Sequence, residues 1–279
     1  MEPGPADEHD PGTVATDGDG TGRPGVLCLL SSDGPARQME LRVAAAIADG
    51  GELVVSGDDS EEVVRRARSE SVLTNVDVDS VERPASVTEE WLASVGGGRG
   101  LPTVVDARRS RSRFSESDDI GVGTDCTVVT VETVKGIDSV SSLLVPVAAG
   151  PHVDAVVDVS RALAAATDSW LDIFYVVEDA ESPSDDVETL LAYCADRLGT
   201  FENYDEWVFE ASDPAEAIVE QSQYYDLTVL GTAQKGLLRK YVSGSTADEV
   251  RNAAENVVLT VSAEDVTTSR VEQWIGEGT

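Results

Sequence analysis

One stretch decides the fold: SLLVPVAAGPHVDAVVDVSRALAAATDSWLDIFYVV, residues 142–177. It begins with the apolar run Ser142–Ala148 and ends with a second apolar run, Leu171–Val177, and both are typical of strands covered on two faces. Between them Pro151 opens a segment with apolar residues at helical spacing, namely Val153, Val156, Val157 and Leu163. The stretch therefore predicts a β-α-β unit with parallel strands.

The same alternation of strands and helices continues in both directions along the chain. Toward the amino terminus we expect five strands, at Gly25–Ser31, Glu52–Ser56, Asn75–Val81, Leu101–Asp106 and Cys126–Val131. Toward the carboxyl terminus three more follow the quoted unit, at Glu206–Glu210, Asp226–Gly231 and Asn256–Val261. This order predicts an α/β protein with two tandem, doubly wound parallel sheets of five strands each.

Short matches between the two halves indicate a repeat. Gly34-Pro35 matches Gly150-Pro151, Thr103-Val104 matches Thr228-Val229, and VVTV at 128–131 matches VLTV at 258–261. We interpret residues 24–134 and 140–263 as two copies of one domain. Residues 1–23 are rich in glycine, proline and acid, which predicts a disordered tail, and residues 264–279 form a C-terminal tail.

The charge of the chain limits its partners. It carries 53 acidic and 20 basic residues, a formal net charge of −33, and only three of the basic residues are lysine. Such a field repels polyanions, so nucleic acid and anionic membranes are excluded as general partners. The composition resembles that of proteins from extreme halophiles, in which molar salt shortens the screening length to about 3 Å. An acidic protein adapted to ordinary salt is the alternative.

Cysteine and histidine are scarce. Cys28, Cys126 and Cys194 are too dispersed for a disulfide framework, and with only His9 and His152 no metal cluster is expected. Cys194 lies in an apolar helical stripe and is predicted to be a buried thiol, whereas His152 is predicted to be a surface residue at a helix start. Because no apolar stretch approaches a membrane span and no signal peptide is recognisable, we expect a cytoplasmic protein.

The loop after the fourth strand of the second half carries the clearest chemical signal. It reads GTAQKGLLRKYVSGST from residue 231 to residue 246. Its glycines allow a ligand to approach the backbone closely, and its last residues begin a helix whose dipole favours an anion. A glycine-containing loop with an ordinary helix cap is the alternative. The candidate binding residues are Gly231, Thr232, Gly236, Gly244, Ser245 and Thr246.

At these positions the sequence resembles the universal stress proteins. Their hallmark follows the fourth strand as glycine, two residues, glycine, nine residues, glycine, and then serine or threonine. Gly231, Gly244 and Ser245 match its first, third and last positions, and LLVPVAAGP at 143–151 resembles the first strand of the family. The resemblance covers residues 141–262, and residues 24–133 look like a degenerate copy. It implies a tandem of the family's Rossmann-like domains, whose fold resembles that of the adenine nucleotide alpha-hydrolases.

The resemblance also implies a ligand, ATP or another adenine nucleotide, in the second half. ATP-binding members read the adenine partly through backbone near the end of the second strand, which corresponds to Val176 and Val177. The sequence departs from the family at two positions. Gln234 replaces the second glycine, and Ala148 stands where nucleotide-binding members have an aspartate. A member that binds no nucleotide is therefore the alternative.

Seven of the 20 cations fall in two equivalent loops, one after the fourth strand of each half. The first loop holds Arg108, Arg109, Arg111 and Arg113, and the second holds Lys235, Arg239 and Lys240. We predict that both loops hold a small anionic ligand, a phosphate or a nucleotide. The alternative is a solvated loop, or arginines that pair with the acidic residues at 116–119.

No catalytic residue is predicted. The sequence contains no P-loop lysine motif, no nucleophile elbow and no S-G-G-x-D-S-type loop. We therefore expect a regulatory or ligand-sensing protein without turnover. The alternatives are an interaction scaffold with a vestigial nucleotide pocket and a slow nucleotide hydrolase. Because universal stress proteins commonly dimerise through their last strands, the resemblance implies an intramolecular pseudo-dimer through the fifth strands, and leaves a further homo-oligomer open.

Overall fold

Ten β-strands form one continuous sheet. The structure is a computed structural model, and it describes residues 25–30, 34–57, 59–69, 76–84, 87–96, 103–106, 126–132, 139–150, 152–177, 185–232 and 243–263. The strands are β1 (Val26–Leu29), β2 (Glu52–Ser56), β3 (Asp77–Val81), β4 (Thr103–Asp106), β5 (Thr127–Glu132), β6 (Ser142–Pro146), β7 (Trp170–Val177), β8 (Tyr204–Glu210), β9 (Leu227–Gly231) and β10 (Val257–Ser262). The helices are α1 (Gly34–Ala48), α2 (Ser60–Ser69), α3 (Glu89–Gly96), α4 (Val153–Thr167), α5 (Asp185–Leu198), α6 (Pro214–Ser222) and α7 (Ser243–Ala253).

The strand order confirms the predicted fold class. Across the sheet it runs β3-β2-β1-β4-β5-β10-β9-β6-β7-β8. All pairs within each half are parallel, and only β5 and β10 pair antiparallel. Each half is a five-stranded doubly wound sheet in which the first strand lies at the centre, between the second and the fourth. Among the described helices, none is both long enough and apolar enough to cross a bilayer.

Each predicted strand is present, with ends displaced by at most two residues, and β2 has the predicted bounds. β8 begins at Tyr204 rather than Glu206, and β6 ends at Pro146 rather than Ala148. Asp226, predicted as the first residue of a strand, instead precedes β9 and accepts hydrogen bonds from the N–H and hydroxyl groups of Ser141 and Ser142. Such shifts are expected because strand ends depend on tertiary hydrogen bonds that a local pattern does not specify.

The two halves meet at the β5–β10 seam. Thr130 pairs with Thr260, and the flanking pairs are Val129 with Val261 and Val131 with Leu259. On this seam Arg251 of α7 lies 3.6 Å from the carboxylate of Glu132 on β5, which ties the second half to the first by an ion pair.

One part of the sequence repeat does not hold in the register. Val104, matched above to Val229, packs against α3 with Leu27, whereas Val229 packs in the main cluster on the other side of the sheet. The letter-by-letter matches at these strands are therefore wrong by one residue, because a one-residue shift in a strand turns each side chain to the opposite face.

The core fills both faces of the sheet. The main cluster joins α1 and α4 to the strands of both halves, and it includes the fully buried Cys194, as predicted for that thiol. Burial raises the pKa of Cys194 to about 12, with a smaller contribution from the charge of Glu206. This cysteine is therefore a packing residue and not a nucleophile.

Candidate functional site

A cavity of about 380 Å³ opens at the carboxyl ends of β6 and β9. These two strands are neighbours, and α4, which follows β6, packs in one core cluster while α7, which follows β9, packs with α6 in the cluster on the other side of the sheet. Crevices at such a switch point are where open parallel sheets hold ligands. The described residues that line it are Pro146, Val147, Ala148, Ala149, Gly150, His152, Val153, Val156, Phe174, Tyr175, Val176, Pro214, Ile218, Leu230, Gly231, Thr246 and Ala247.

The wall formed by β6 and α4 is made of small residues. Ala148 and Gly150 lie between the strand and the helix, and Val153 begins α4. Small side chains leave room for a ligand close to the helix end. The N-cap residue His152 makes no side-chain capping bond, so the first N–H groups of α4 lie beside the cavity without that cap.

His152 corrects a prediction. It was expected at the surface, but it is half-buried, lines the cavity, and its Nδ1 accepts a hydrogen bond of 3.3 Å from the N–H of Ala263. This bond links the end of β10 to the start of α4 across the mouth of the site. Sequence reasoning missed it because the two residues are 111 positions apart in the chain.

The sequence predicts Gly231, the last residue of β9, as a binding residue, and this glycine lines the cavity. A Cβ atom at this position would lie 3.3 Å from Cγ2 of Val156 and 3.4 Å from Cβ of His152, both on the α4 side of the cavity. A larger side chain here would push against α4 or fill the cavity. The absence of a side chain therefore keeps β9, α4 and the cavity wall in close contact.

The first turn of α7 faces the cavity through Thr246 and Ala247. Gly244 and Ser245 belong to the same turn, because α7 begins at Ser243. Residues near the amino ends of α4 and α7 thus line one cavity, and the positive ends of two helix dipoles favour an anionic group there. At the neighbouring α6 the carboxylate of Asp213 accepts from the N–H groups of Ala215 and Glu216, so that helix end is capped by its own chain.

The inner wall comes from β7. Phe174, Tyr175 and Val176 line the cavity, and the Phe174 ring lies 5.9 Å from that of Phe209. Val176 was singled out from the sequence, whereas Phe174 and Tyr175 were missed. The signal that would have found them is the position of β7 beside β6, which places the whole end of β7 at the switch point.

The predicted residues divide into four groups. Val176, Gly231 and Thr246 line the cavity, while Val177 ends β7 and Thr232 donates its N–H to the Val261 carbonyl without lining it. Gly244 and Ser245 lie in the first turn of α7. The others lie outside the described residues and stay predictions, namely Gly236, Lys235, Arg239, Lys240, Arg108, Arg109, Arg111 and Arg113.

The equivalent region of the first half differs in chemistry. Asp106, the last residue of β4, is buried, and so is Glu40 on α1. Burial raises the pKa of the Cys28 thiol, and the charges of Glu40 and Asp106 raise it further. Within the residues that the structure describes, no group of three histidine, cysteine or acidic side chains is arranged to hold a metal ion.

Comparison with known proteins shows the fold. Neither the protein-family models nor the curated proteins gave a match to this sequence. Among solved structures, the cytoplasmic domain of a prokaryotic cation chloride cotransporter is similar with a TM-score of 0.58 at 12% identity, over 90% of this chain and 99% of that one. A universal stress protein from Archaeoglobus fulgidus DSM 4304 is similar with a TM-score of 0.54 at 14% identity, over 87% of this chain and 97% of that one.

A third similar structure is a protein of unknown function from Pseudomonas aeruginosa PAO1, with a TM-score of 0.52 at 15% identity, over 91% of this chain and 97% of that one. At these identities the likeness concerns the backbone alone. The chain therefore shares its fold, over nearly its whole length, with universal stress protein-like structures.

Proposed function

We propose that the second half binds an adenine nucleotide and that the protein is a regulatory, ligand-sensing binding protein without turnover. The observation that carries this proposal is the cavity of about 380 Å³ at the β6–β9 switch point. The cavity is lined by the apolar side chains of Phe174, Ile218 and Leu230, and the amino ends of two helices lie beside it. The apolar side chains can pack against a planar base, and the N–H groups at the helix ends can bind a phosphate.

The charge of the lining supports an anionic ligand in an acidic protein. Among the described lining residues, none is a carboxylate, and His152 and Tyr175 are the titratable side chains. A phosphate would therefore meet N–H groups and dipoles locally, although the whole chain carries −33. We extend the proposal to the cations of the two equivalent loops, with Lys235, Arg239 and Lys240 holding an anionic ligand in the second half and the arginines at 108–113 holding one in the first.

The seam supports an assembly proposal as well. The antiparallel pairing of β5 with β10 occupies the edge of each fifth strand. We propose that the two halves function as an intramolecular pseudo-dimer, which leaves these strands closed to a second copy.

Three measurements test the function. First, the protein is purified in high salt and its small-molecule content is identified by mass spectrometry after denaturation. Second, ATP, AMP and adenosine are titrated into the emptied protein by calorimetry, and we expect saturable binding that Thr246→Ala weakens about threefold to tenfold. Third, phosphate release from ATP is timed with Mg²⁺ present.

The outcomes separate the alternatives. Bound nucleotide without phosphate release supports the sensor, and steady phosphate release would instead identify a slow hydrolase. No nucleotide in the purified protein and no heat of binding would contradict the proposal and leave an interaction scaffold with a vestigial pocket.

A further inference from the structure

The outer strand β8 differs from the other outer strand, β3, in what it exposes. Trp207 and Val208 on β8 are 49% and 41% exposed, and Trp170, at the start of the adjacent β7, is 47% exposed. Asp205, Glu206 and Glu210 are exposed on the same strand. Large exposed apolar side chains are concentrated here within the described part of the chain, where Tyr224 is the remaining one. Trp207 and Val208 lie on opposite faces of β8, so a strand added at this edge would find a large apolar side chain on each face.

The backbone of β8 is available on its outer side. Leu171 donates to the Asn203 carbonyl and Ala211 donates to the Val177 carbonyl, so odd-numbered residues of this region point their backbone groups toward β7. Because these directions alternate along a strand, Glu206, Val208 and Glu210 point theirs outward. The N–H of Glu206 donates to the Asp205 carboxylate, while Val208 and Glu210 have no outward partner among the described residues.

The edge at β3 is blocked in a way that β8 is not. Arg68 of α2 donates to the Val78 carbonyl at 2.9 Å, and this carbonyl faces outward because the N–H of Asp77 points toward β2 and these directions alternate along the strand. The N–H of Ser80 donates to the Asp79 side chain at 2.9 Å, just as the N–H of Glu206 does to Asp205 on β8, so the bond from Arg68 is what distinguishes the two edges. Side chains that occupy edge carbonyls prevent another strand from pairing, and this is how sheet edges are protected.

We propose that β8 is a docking edge for an extended, positively charged segment of a partner protein, which pairs with β8 as an additional strand. The charge pattern fixes the chemistry of that segment. Glu206, Val208 and Glu210 project from one face in the order acid, apolar, acid, so the added strand presents cation, apolar residue, cation to them. Trp207 on the other face takes an apolar side chain or a cation over its ring.

A second copy of this chain fits the edge less well. It would bring its own Asp205, Glu206 and Glu210 carboxylates to the interface, and it would add a second net charge of −33. Like charges on neighbouring strands destabilise pairing, whereas a basic segment gains from each carboxylate.

The test uses a fluorescent peptide that alternates lysine with valine over the length of β8, added to the full chain at the lowest salt that keeps it folded. We expect saturable binding by anisotropy. The same peptide with alternate backbone nitrogens methylated keeps its charge but cannot form the strand ladder, and we expect it to bind at least about tenfold more weakly. Equal binding of the two peptides would reduce the effect to charge alone and overturn the proposal.

Two matched double variants separate local from overall charge. E206Q/E210Q and D77N/D79N each remove two exposed carboxylates, the first pair from β8 and the second from β3. We expect the first to weaken peptide binding about tenfold and the second to leave it within about twofold. Val208→Pro removes an outward N–H without touching the ladder to β7, and we expect it to weaken binding as well.

Oligomeric state supplies the remaining control. Sedimentation of the chain alone, with and without Trp207→Ser, tests whether a second copy occupies the edge. A dimer that Trp207→Ser converts to monomer would overturn the proposal in favour of self-association, and an unchanged species supports it.

Discussion

Thr130 lies directly opposite Thr260 where β5 pairs with β10, and these two threonines hold equivalent positions in the matched segments VVTV and VLTV. A residue that pairs with its own counterpart lies on a two-fold axis. This pairing is what the intramolecular pseudo-dimer proposed above requires at its centre. The stability of the seam is therefore the first property to test.

Arg251→Ala is expected to lower the free energy of unfolding by about 1–3 kcal/mol at pH 7, because it leaves the largely buried Glu132 carboxylate without its cation. Burial raises the pKa of Glu132, although the charge of Arg251 lowers it. A raised pKa means that protonated Glu132 is better tolerated in the folded state, so the deficit of the variant should shrink as the pH falls toward 5.

Urea unfolding at several pH values measures this difference. Arg65→Ala, which breaks the exposed pair of Arg65 with Glu62, is the control and should change stability by less than about 0.5 kcal/mol. A deficit of Arg251→Ala that grows with acidity would contradict the explanation.

Asp226 has a pKa shift of the opposite sign to that of Glu132. Burial acts to raise the pKa of Asp226, but the hydrogen bonds from Ser141 and Ser142 outweigh it, and the pKa is lowered. A lowered pKa means that the ionised group stabilises the fold above its unfolded pKa of about 4, and that this contribution is lost as the pH falls through the folded value.

Asp226→Asn should therefore lose about 1 kcal/mol at pH 7 and differ less from the parent near pH 3. Chemical unfolding at both pH values gives the comparison, with the exposed Glu188→Gln as a charge-matched control. A constant difference at the two pH values would rule out ionisation as the cause.

The carboxyl end of α4 offers a stabilising change. Asp168 ends the helix with a φ of 53°, in the left-handed region, and its N–H donates to the Ala164 carbonyl. Glycine adopts this conformation without steric strain, so Asp168→Gly should raise the free energy of unfolding by up to about 1 kcal/mol.

The matched control introduces the same residue two positions earlier. Ala166→Gly, on the exposed side of α4, should lower stability by about 1 kcal/mol, because glycine is unfavourable inside a helix. Thermal unfolding of both variants measures the two changes in stability. Melting temperatures that shift in the same direction would contradict the explanation from helix-end conformation.

Gly231→Val should weaken ligand binding at least about tenfold, because the new side chain meets Val156 and His152 and enters the cavity. Gly150→Ala is the control: it also lines the cavity, but its Cβ has no neighbour within 4 Å. The same nucleotide is titrated into both variants by calorimetry. Weaker binding by Gly231→Val alone would mean that the cavity has lost space. Circular dichroism checks that the fold persists.

Transfer into low salt should loosen or unfold the chain. Its formal charge of −33 is screened over about 3 Å at 1 M salt and over about 30 Å at 0.01 M, so repulsion between carboxylates grows on dilution. Circular dichroism during stepwise dialysis follows the change. An unchanged spectrum at 0.01 M would contradict the resemblance to halophilic proteins.

The fold was predictable because its signals are local. Runs such as Leu171–Val177, separated by helical spacing, identify parallel strands one at a time, and the switch-point rule then places the site between β6 and β9. The register was less predictable, as the opposite faces of Val104 and Val229 demonstrate, because matching letters do not fix which side of a sheet a residue faces.

The cavity lining was predicted in part. Gly231 and Thr246 follow from the glycine loop, but the role of His152 depends on its bond to Ala263, which only the folded chain brings about. Pro214 and Ile218 enter the cavity from α6, whose position over the sheet depends on packing and not on any motif.

Because β5 and β10 belong to one polypeptide, their association does not depend on protein concentration. A pair of separate chains would need to meet, whereas a linked pair experiences an effective concentration that is typically in the millimolar range. A linked pair also always contains one copy of each kind, so selection can act on its two members separately. One half is thereby free to keep an apolar cavity at Gly231 while the other places the buried Asp106 at the end of β4.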